Sequence, residues 1–527
     1  MTPRAGRPVH PRAPAARAPY IRLTAGPDGI RAEGDKEARL GHAIGGLRLD
    51  AAALPEGVFA AWEWDGRRLL VRNDRYGMFP LFYRSEGDSI ALSPDPLALL
   101  EPGVPAELDH DALAVFLRLG FFLAEDTCFT AVRALPPAAT LTWSHGDLRV
   151  ECAPRPMPGP ADMTGAQAVD GFIDLFRAAI ARRLPGEPYV LPLSGGRDSR
   201  HILLELDRQG APPRLCFSGA KFPPDPGVDA RVAAVLAGRL GLPHQTLALP
   251  RSEFTAELTA NTAQGMCTLD GAWAGPVFAH LRRHCGVSYD GIGGGELAQN
   301  PSIDLIRDNP FDPVDLPGLA DRLLAAGRTG PHVDHLLGPR QRSLWSRERA
   351  RRRLVPELAR HAEAAFPLGS FFFWNRTRRS IAMAPFALGA GDTVVHAPYV
   401  DHALFDHLAS VPHRHLIDGT LHDQALHKAF PEHAALGFAA AVPNRRGPGL
   451  VGHRLAYLVQ LLAHSVYAER SWWRSGDQVL QRLLAAGRGP GAPQRVSRLQ
   501  PLAVYLLQLE SLAAGDGRDR AGPVRRP

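Results

Sequence analysis

The pattern of apolar and polar positions divides the chain into three textures. From about Pro19 to Glu151, short apolar runs alternate with polar residues at the period of two that strands need, and Gly, Pro and Asp interrupt them. Residues 58–64 and 68–72 flank Asp65-Gly66, a pair that supplies the positive φ angles of a tight turn, so a hairpin is predicted there. Ser89-Ile90-Ala91-Leu92-Ser93 and residues 139–143 continue the strand pattern. Between them, residues 109–119 carry Leu113, Phe116 and Leu117 at helical spacing behind Asp109 as cap.

The proline-rich run 153–160 then reads as a linker. From about Thr164 helices and strands take turns. The spacing predicts an amphipathic helix over 166–184, a strand over 189–193, a helix over 200–209, a strand over 214–218 and a helix over 228–240. Strands alternating with helices imply a parallel sheet with helices on both faces. From about 452 to 514 the pattern is mostly helical, then polar and fraying, and no internal repeat is found.

Composition narrows the function classes. The chain has 527 residues, long enough for two or three domains, with 45% hydrophobic and 22% charged residues. The net charge of +6 is modest, and every basic residue is arginine except Lys36, Lys221 and Lys428. With 52 Gly and 48 Pro, that bias fits GC-rich coding, and no basic stripe interleaved with aromatics marks a nucleic-acid surface. No apolar run reaches the roughly 20 residues that span a bilayer. The cysteines (Cys128, Cys152, Cys216, Cys267, Cys285) show no CxxC spacing, so neither zinc nor a disulfide framework is expected and a cytoplasmic protein is. Residues 1–19, rich in Arg and Pro without acids, read as a disordered tail.

The chemistry lies in Leu193-Ser194-Gly195-Gly196-Arg197-Asp198-Ser199. A glycine-rich turn between a strand and a helix sits at the carboxyl end of a parallel strand, where backbone N–H groups and the helix start attract an anion. Gly195 and Gly196 let the backbone approach phosphate oxygens, and Ser194 and Ser199 add hydroxyl donors. Asp198 beside a polyphosphate makes sense with a cation, so Mg²⁺ is expected on it. The loop is neither a Walker A motif nor a dinucleotide GxGxxG.

This loop resembles the SGGxDS signature of PP-loop ATP pyrophosphatases, and the chain as a whole resembles the asparagine synthetase family. Residues 72–83, Arg72-Asn73-Asp74-Arg75-Tyr76-Gly77 onward, are similar to the family's RDRxGxxPLYY segment. Asp126-Thr127-Cys128-Phe129 through Leu135-Pro136-Pro137 is similar to T-x-F…L-P-P-G. Asp290-Gly291-Ile292-Gly293-Gly294-Gly295-Glu296-Leu297 is similar to SGxGxDEL, and His396-Ala397-Pro398-Tyr399-Val400-Asp401 to RxPFLD.

The resemblance implies an α/β protein. An N-terminal αββα glutaminase-like domain over 20–152 precedes a linker at 153–163. An adenine-nucleotide α-hydrolase-like synthetase domain follows over 164–450, with a helical extension over 451–527. In such enzymes a carboxylate is activated on ATP as an acyl-adenylate, pyrophosphate leaves, and a nitrogen nucleophile displaces AMP. The resemblance places ATP and pyrophosphate against Leu193, Ser194, Gly195, Gly196, Asp198, Ser199, Asp290 and Gly291. It places adenine by backbone groups of Leu193 and the pair Phe217–Ser218. Mg²⁺ falls to Asp198 and Glu296.

Several positions depart from the pattern. The glutaminase nucleophile of the family is an N-terminal cysteine, whereas position 2 is Thr2 and the first cysteine is Cys128, so the first half is expected to be an inactive scaffold. That loss resembles β-lactam synthetases and lasso-peptide macrolactam cyclases, which take an amine from the substrate. The metal-binding Asp of SGxGxDEL is replaced by Gly295, which leaves Glu296 or Asp290 to serve. The catalytic tyrosine of β-lactam synthetases aligns with Ile292, and their late lysine falls in Pro443-Asn444-Arg445-Arg446-Gly447. Arg445 and Arg446 there can neutralise developing charge but not act as bases.

The expected function is an ATP-dependent amide ligase for a small molecule or peptide carrying a carboxylate and an amine. Asparagine synthesis from ammonia or glutamine is one alternative, and a nucleotide-binding scaffold another. No nucleic-acid or membrane partner is expected; a partner protein or homo-oligomer is compatible. The histidines from His396 to His427 and Phe371-Phe372-Phe373-Trp374 read as core or solvated positions, and Arg351-Arg352-Arg353 as a solvated helix face.

Overall fold

The computed structural model describes residues 18–220, 222, 227–248, 250, 252–269, 271–299, 311–388, 393–441, 450–467, 481–487 and 492–514. Thr2, Arg445 and Arg446 lie outside them, as do most of the expected N-terminal tail and the polar end.

The first half is built on two five-stranded antiparallel sheets. One runs in the order Gly29–Gly34, Ile21–Gly26, Ser89–Ser93, Phe82–Glu86, Val132–Ala134, and the other Asp147–Cys152, Ala139–Ser144, Leu69–Asn73, Gly57–Trp64, Glu37–Ala43. The predicted hairpin pairs Trp64 with Leu69. Its turn is held by Asp65, whose Oδ1 accepts the N–H groups of Arg67 (2.8 Å) and Arg68 (2.7 Å). Ala139–Ser144 alternates buried and half-buried residues, as a one-sided strand should, whereas Gly57–Trp64 is buried on both faces. The helix expected over 109–119 forms as His110–Leu119 with Asp109 capping Ala112 N–H at 2.9 Å. It packs on Arg347–Ala359 from the second half.

The segment resembling RDRxGxxPLYY is an organiser of the join. Asp74 is fully buried and its carboxylate accepts N–H groups from Phe59, Tyr76, Met78 and Phe79. Arg75 makes a bidentate pair with Asp406 at 3.0 and 2.7 Å. From the other side, a π-helix over Phe373–Ile381 sends Arg378 to the carbonyls of Ala124 and Leu135, and Arg379 to those of Ala124 and Asp126. The proline-rich connector is fastened too: Arg155 reaches Glu125 and Glu357 and lies 5.7 Å from the Trp374 ring.

The second half opens on Gly165–Ala181, whose Thr164 and Gln167 form a capping box. Its apolar face includes Ala168, Phe172, Phe176 and Ile180, spaced by four. The parallel sheet then runs Val190–Pro192, Leu215–Gly219, His244–Leu247, flanked by Asp198–Arg208 and Val228–Arg239. A second parallel pair, Val287–Tyr289 with Val394–His396, lies alongside, and the Ser288 hydroxyl donates to the Val190 carbonyl at 3.0 Å. The three-stranded sheet and this pair point their carboxyl ends the same way, toward the side where ligands of open α/β sheets bind. Phe371, Phe373 and Trp374 are core residues, each 1% exposed or less. Arg351 and Arg353 pair with Asp321, Glu348 and Asp126. No helix among the described residues is long and apolar enough to cross a membrane.

Candidate active site

The loop after Val190–Pro192 turns into Asp198–Arg208 as expected, and it is already organised by its own side chains. Ser199 Oγ accepts the N–H of Ser194 at 3.0 Å and lies 2.9 Å from Ser194 Oγ, while Ser194 Oγ accepts the N–H of Gly196 at 3.2 Å. The N–H of Gly195 donates to the Asp229 carboxylate at 2.9 Å. A carboxylate thus rests where the loop offers an anion site. A Cβ on Gly195 would stand 2.7 Å from Ala439 Cβ and 3.0 Å from Asp229 O and Val232 Cβ, so the position tolerates only glycine. Ala439 N–H donates to the Gly195 carbonyl at 2.9 Å, so the chain leading to Arg445 and Arg446 crosses the loop.

Asp198 lies at the start of its helix, facing the Asp290–Leu297 segment. A Cβ on Gly291 would be 2.6 Å from Asp198 Cβ, and one on Gly294 would be 2.7 Å from Asp198 Oδ1. Gln299 Nε2 donates to Asp198 Oδ1 at 3.1 Å, His422 Nδ1 is 3.4 Å from the same oxygen, and Tyr399 Oη lies 3.3 Å from the Asp198 carbonyl. His422 in turn approaches His201 at 3.2 Å and Tyr399 Oη at 3.3 Å. Burial pushes the His422 pKa down to about 3, with Arg197 adding repulsion, so the ring is neutral.

The Asp198 side chain keeps 31% of its surface open to the cleft. Even so, desolvation by the surrounding protein pushes its pKa up to about 8, and the charges of Glu296 and Asp290 add to the rise. Burial lifts Asp290 to about 6; its Oδ1 accepts the Ile292 N–H at 2.8 Å. A cation would relieve this repulsion, but among the described residues no three His, Cys, Asp or Glu side chains stand together as a ready metal cage, so Asp198 would have to hold one with few protein partners. Glu296, however, is taken by Arg376, whose Nη1 donates to Oε1 at 2.8 Å. Gly295 faces open space, with no atom within 4 Å of a would-be Cβ.

Where the first two strands of the parallel sheet end, Leu193 N–H donates to Phe217 O at 2.7 Å and Ser218 Oγ donates to Leu193 O at 2.6 Å. Leu193, Phe217 and Ser218 therefore meet, held by hydrogen bonds to one another. His422, Gln299 and Asp229 lie outside every motif, and their sole sequence signal is polarity within an apolar surround, whereas Tyr399 falls in the stretch similar to RxPFLD.

Arg197 anchors the loop's variable position. It forms a two-pronged pair with Asp423, one contact at 2.8 Å, and lies 4.3 Å from the Phe438 ring, with Arg200 at 4.2 Å from the same ring. Losing a charge-assisted pair of this kind costs about 1.5 kcal/mol, roughly tenfold. Asp423→Ala is expected to raise the KM for ATP about tenfold with a smaller change in kcat; an unchanged KM would show that the pair does not hold the loop.

Comparison with known families places these features. Residues 171–434 match the model of the asparagine synthase family, and residues 26–152 that of a glutamine amidotransferase domain. No curated protein matches the chain. Among solved structures, the chain is similar to glutamine phosphoribosylpyrophosphate amidotransferase from B. subtilis complexed with ADP and GMP, at 11% identity and a TM-score of 0.15 over 36% of this chain and 47% of that one. A second, described as the allosteric regulatory enzyme of purine biosynthesis, matches at 10% identity and a TM-score of 0.16 over 44% of this chain and 63% of that one. The chain thus spans about half to three fifths of those structures, and likeness at this level says nothing of its chemistry. The family match covers half of the chain, from within the helix before the loop to just short of the segment that crosses it, and the chain belongs to the asparagine synthase family.

Proposed function

We propose that the protein activates a carboxylate on ATP and transfers the acyl group to an amine of its substrate, as in peptide macrolactam or other natural-product amide synthesis. The observation that carries this reading is Asp198, a carboxylate held against its charge at the carboxyl end of a parallel strand beside a glycine-rich anion loop. A substrate carboxylate oxygen attacks the α-phosphorus; the C–O–P bond forms, the bond from that phosphorus to the bridging oxygen breaks, and pyrophosphate leaves with the electron pair. The amine nitrogen then bonds to the acyl carbon, the C–O bond to AMP breaks, and the nitrogen gives up a proton. Ser194, Gly195, Gly196 and Ser199 hold the departing pyrophosphate, which requires Asp229 to release the Gly195 N–H. Asp198 would hold Mg²⁺, which when bound neutralises polyphosphate charge. With Glu296 committed to Arg376, the site works mainly by positioning and charge neutralisation.

The first half serves this reading as a scaffold. Cys128 is fully buried and burial pushes its thiol well above the usual range, so it is no nucleophile. Its motif residues Asp74 and Arg75 are spent on the turn and on Asp406. Glutamate release from glutamine by the purified protein would overturn this part.

Formation of AMP and pyrophosphate from ATP in the presence of the carboxylate substrate tests the ligase. ATP binding with no pyrophosphate from any carboxylate would leave a nucleotide-binding scaffold, the reading that Gly295 and the Glu296–Arg376 pair favour. Gly295→Asp is expected to restore a second carboxylate in open space. It should lower the Mg²⁺ concentration for half-maximal pyrophosphate release by about tenfold, worth about 1.4 kcal/mol. An unchanged Mg²⁺ requirement would remove this stretch from the metal site.

A further inference from the structure

Three backbone N–H groups of the loop are satisfied from within the protein, and not all in the same way. Those of Ser194 and Gly196 go to the Ser199 and Ser194 hydroxyls, which are neutral and can turn to donate to a ligand. That of Gly195 goes at 2.9 Å to the carboxylate of Asp229, in the first turn of the helix Val228–Arg239. The backbone around this contact is closely packed. A Cβ on Gly195 would stand 3.0 Å from the Asp229 carbonyl oxygen and from Val232 Cβ, so loop and helix already touch. Ala439 N–H holds the Gly195 carbonyl at 2.9 Å, and the helix buries Ala233, Leu236 and Ala237. The Asp229 residue itself is only half-buried, so rotation about its side-chain bonds is enough to free the Gly195 N–H while the backbone stays in place. A phosphate oxygen would take the same donor, and two anions within a few ångströms of each other repel.

We propose that Asp229 is a built-in competitor for the anion loop: its carboxylate holds the place of a phosphate group, is displaced by pyrophosphate or the polyphosphate of ATP, and returns as the product leaves. The proposal rests on the pyrophosphate-holding role given to the loop above. It makes Asp229 a specificity residue. A ligand must displace a carboxylate that is tethered beside its donor and loses little freedom on binding there. Pyrophosphate, with several charges to spread over Gly195, Gly196 and the two serines, can do so, whereas a lone carboxylate gains nothing by the exchange. The same competition weakens the hold on pyrophosphate and helps it depart.

Calorimetric titration of the full chain with inorganic pyrophosphate and Mg²⁺ tests this apart from turnover. Asp229→Asn keeps the shape and still accepts the Gly195 N–H, but without the charge, and Asp229→Ala removes the acceptor. Both are expected to bind pyrophosphate about tenfold more tightly than the parent, because the bond to be exchanged is no longer charge-assisted. A carboxylate that merely braces the loop predicts the opposite order, with Asp229→Asn equal to the parent and Asp229→Ala weaker. Equal or weaker binding by Asp229→Asn overturns the proposal and leaves the loop as the pyrophosphate site. No pyrophosphate binding by the parent or by either variant would remove that site, and the ligase reading with it.

Discussion

Asp198→Asn is expected to lower ATP-dependent pyrophosphate release by about a thousandfold while leaving the protein folded. The carboxylate stands at the start of the helix that follows the anion loop, and removing one electrostatic group of a reaction site costs about a hundred- to a thousandfold in rate. Asparagine keeps the shape and still accepts the Gln299 N–H, so the environment that holds it, with Tyr399 and His422, survives. Activity within tenfold of the parent would remove Asp198 from the reaction.

The same substitution should stabilise the ligand-free protein. Asp198 has its pKa raised from 3.8 to about 8 by burial and by Glu296 and Asp290. Between about pH 4 and pH 8 the folded state therefore holds a proton that the unfolded chain has released. Stability from this group is fully present below pH 4 and lost as pH rises through 8. The melting temperature of Asp198→Asn, measured without Mg²⁺ and ATP, should gain on the parent steadily across that window. Saturating Mg²⁺-ATP should reverse the order by stabilising only the parent. A gap that does not widen with pH would show that the carboxylate is not strained.

Local elements were legible because their signals are local. The hairpin at Asp65-Gly66, the Asp109 cap and the strand before Ser194 each announce themselves within a few residues. The loop was legible for the same reason, since Gly195 and Asp198 stand three residues apart between a strand and a helix. What surrounds Asp198 was not. His422 and Gln299 arrive from more than a hundred residues away, and their chemistry there depends on burial, which no spacing encodes. Glu296 looked like a metal ligand because it follows Gly295; Arg376, eighty residues on, takes it instead. Of the π-helix Phe373–Ile381 only Phe373 and Trp374 were readable, as core positions, because its wider turn breaks the 3.6-residue period. Yet that turn aims Arg378 and Arg379 at the carbonyls of the first half and joins the two halves.

The closeness of the Asp290–Leu297 segment to Asp198 leads to the other large effect. Gly294→Ala is expected to lower kcat/KM by about a hundredfold. The backbone at Gly294 is helical, so alanine is not strained there by φ, and the effect comes from contact alone. The new Cβ would stand 2.7 Å from Asp198 Oδ1, 2.8 Å from its Cγ and 3.1 Å from Tyr399 Cζ. Tyr399 is fully buried and packs against Phe176, so it cannot give. The Asp198 carboxylate must swing away, losing Gln299, and misplacing a catalytic group by about 1 Å costs roughly a hundredfold. Gly295→Ala, one residue on, points into open space and should leave kcat/KM within twofold. Circular dichroism checks that both variants fold, and pyrophosphate release separates them. Equal activities would mean that the position of Asp198, and not merely its presence, has no part in the reaction.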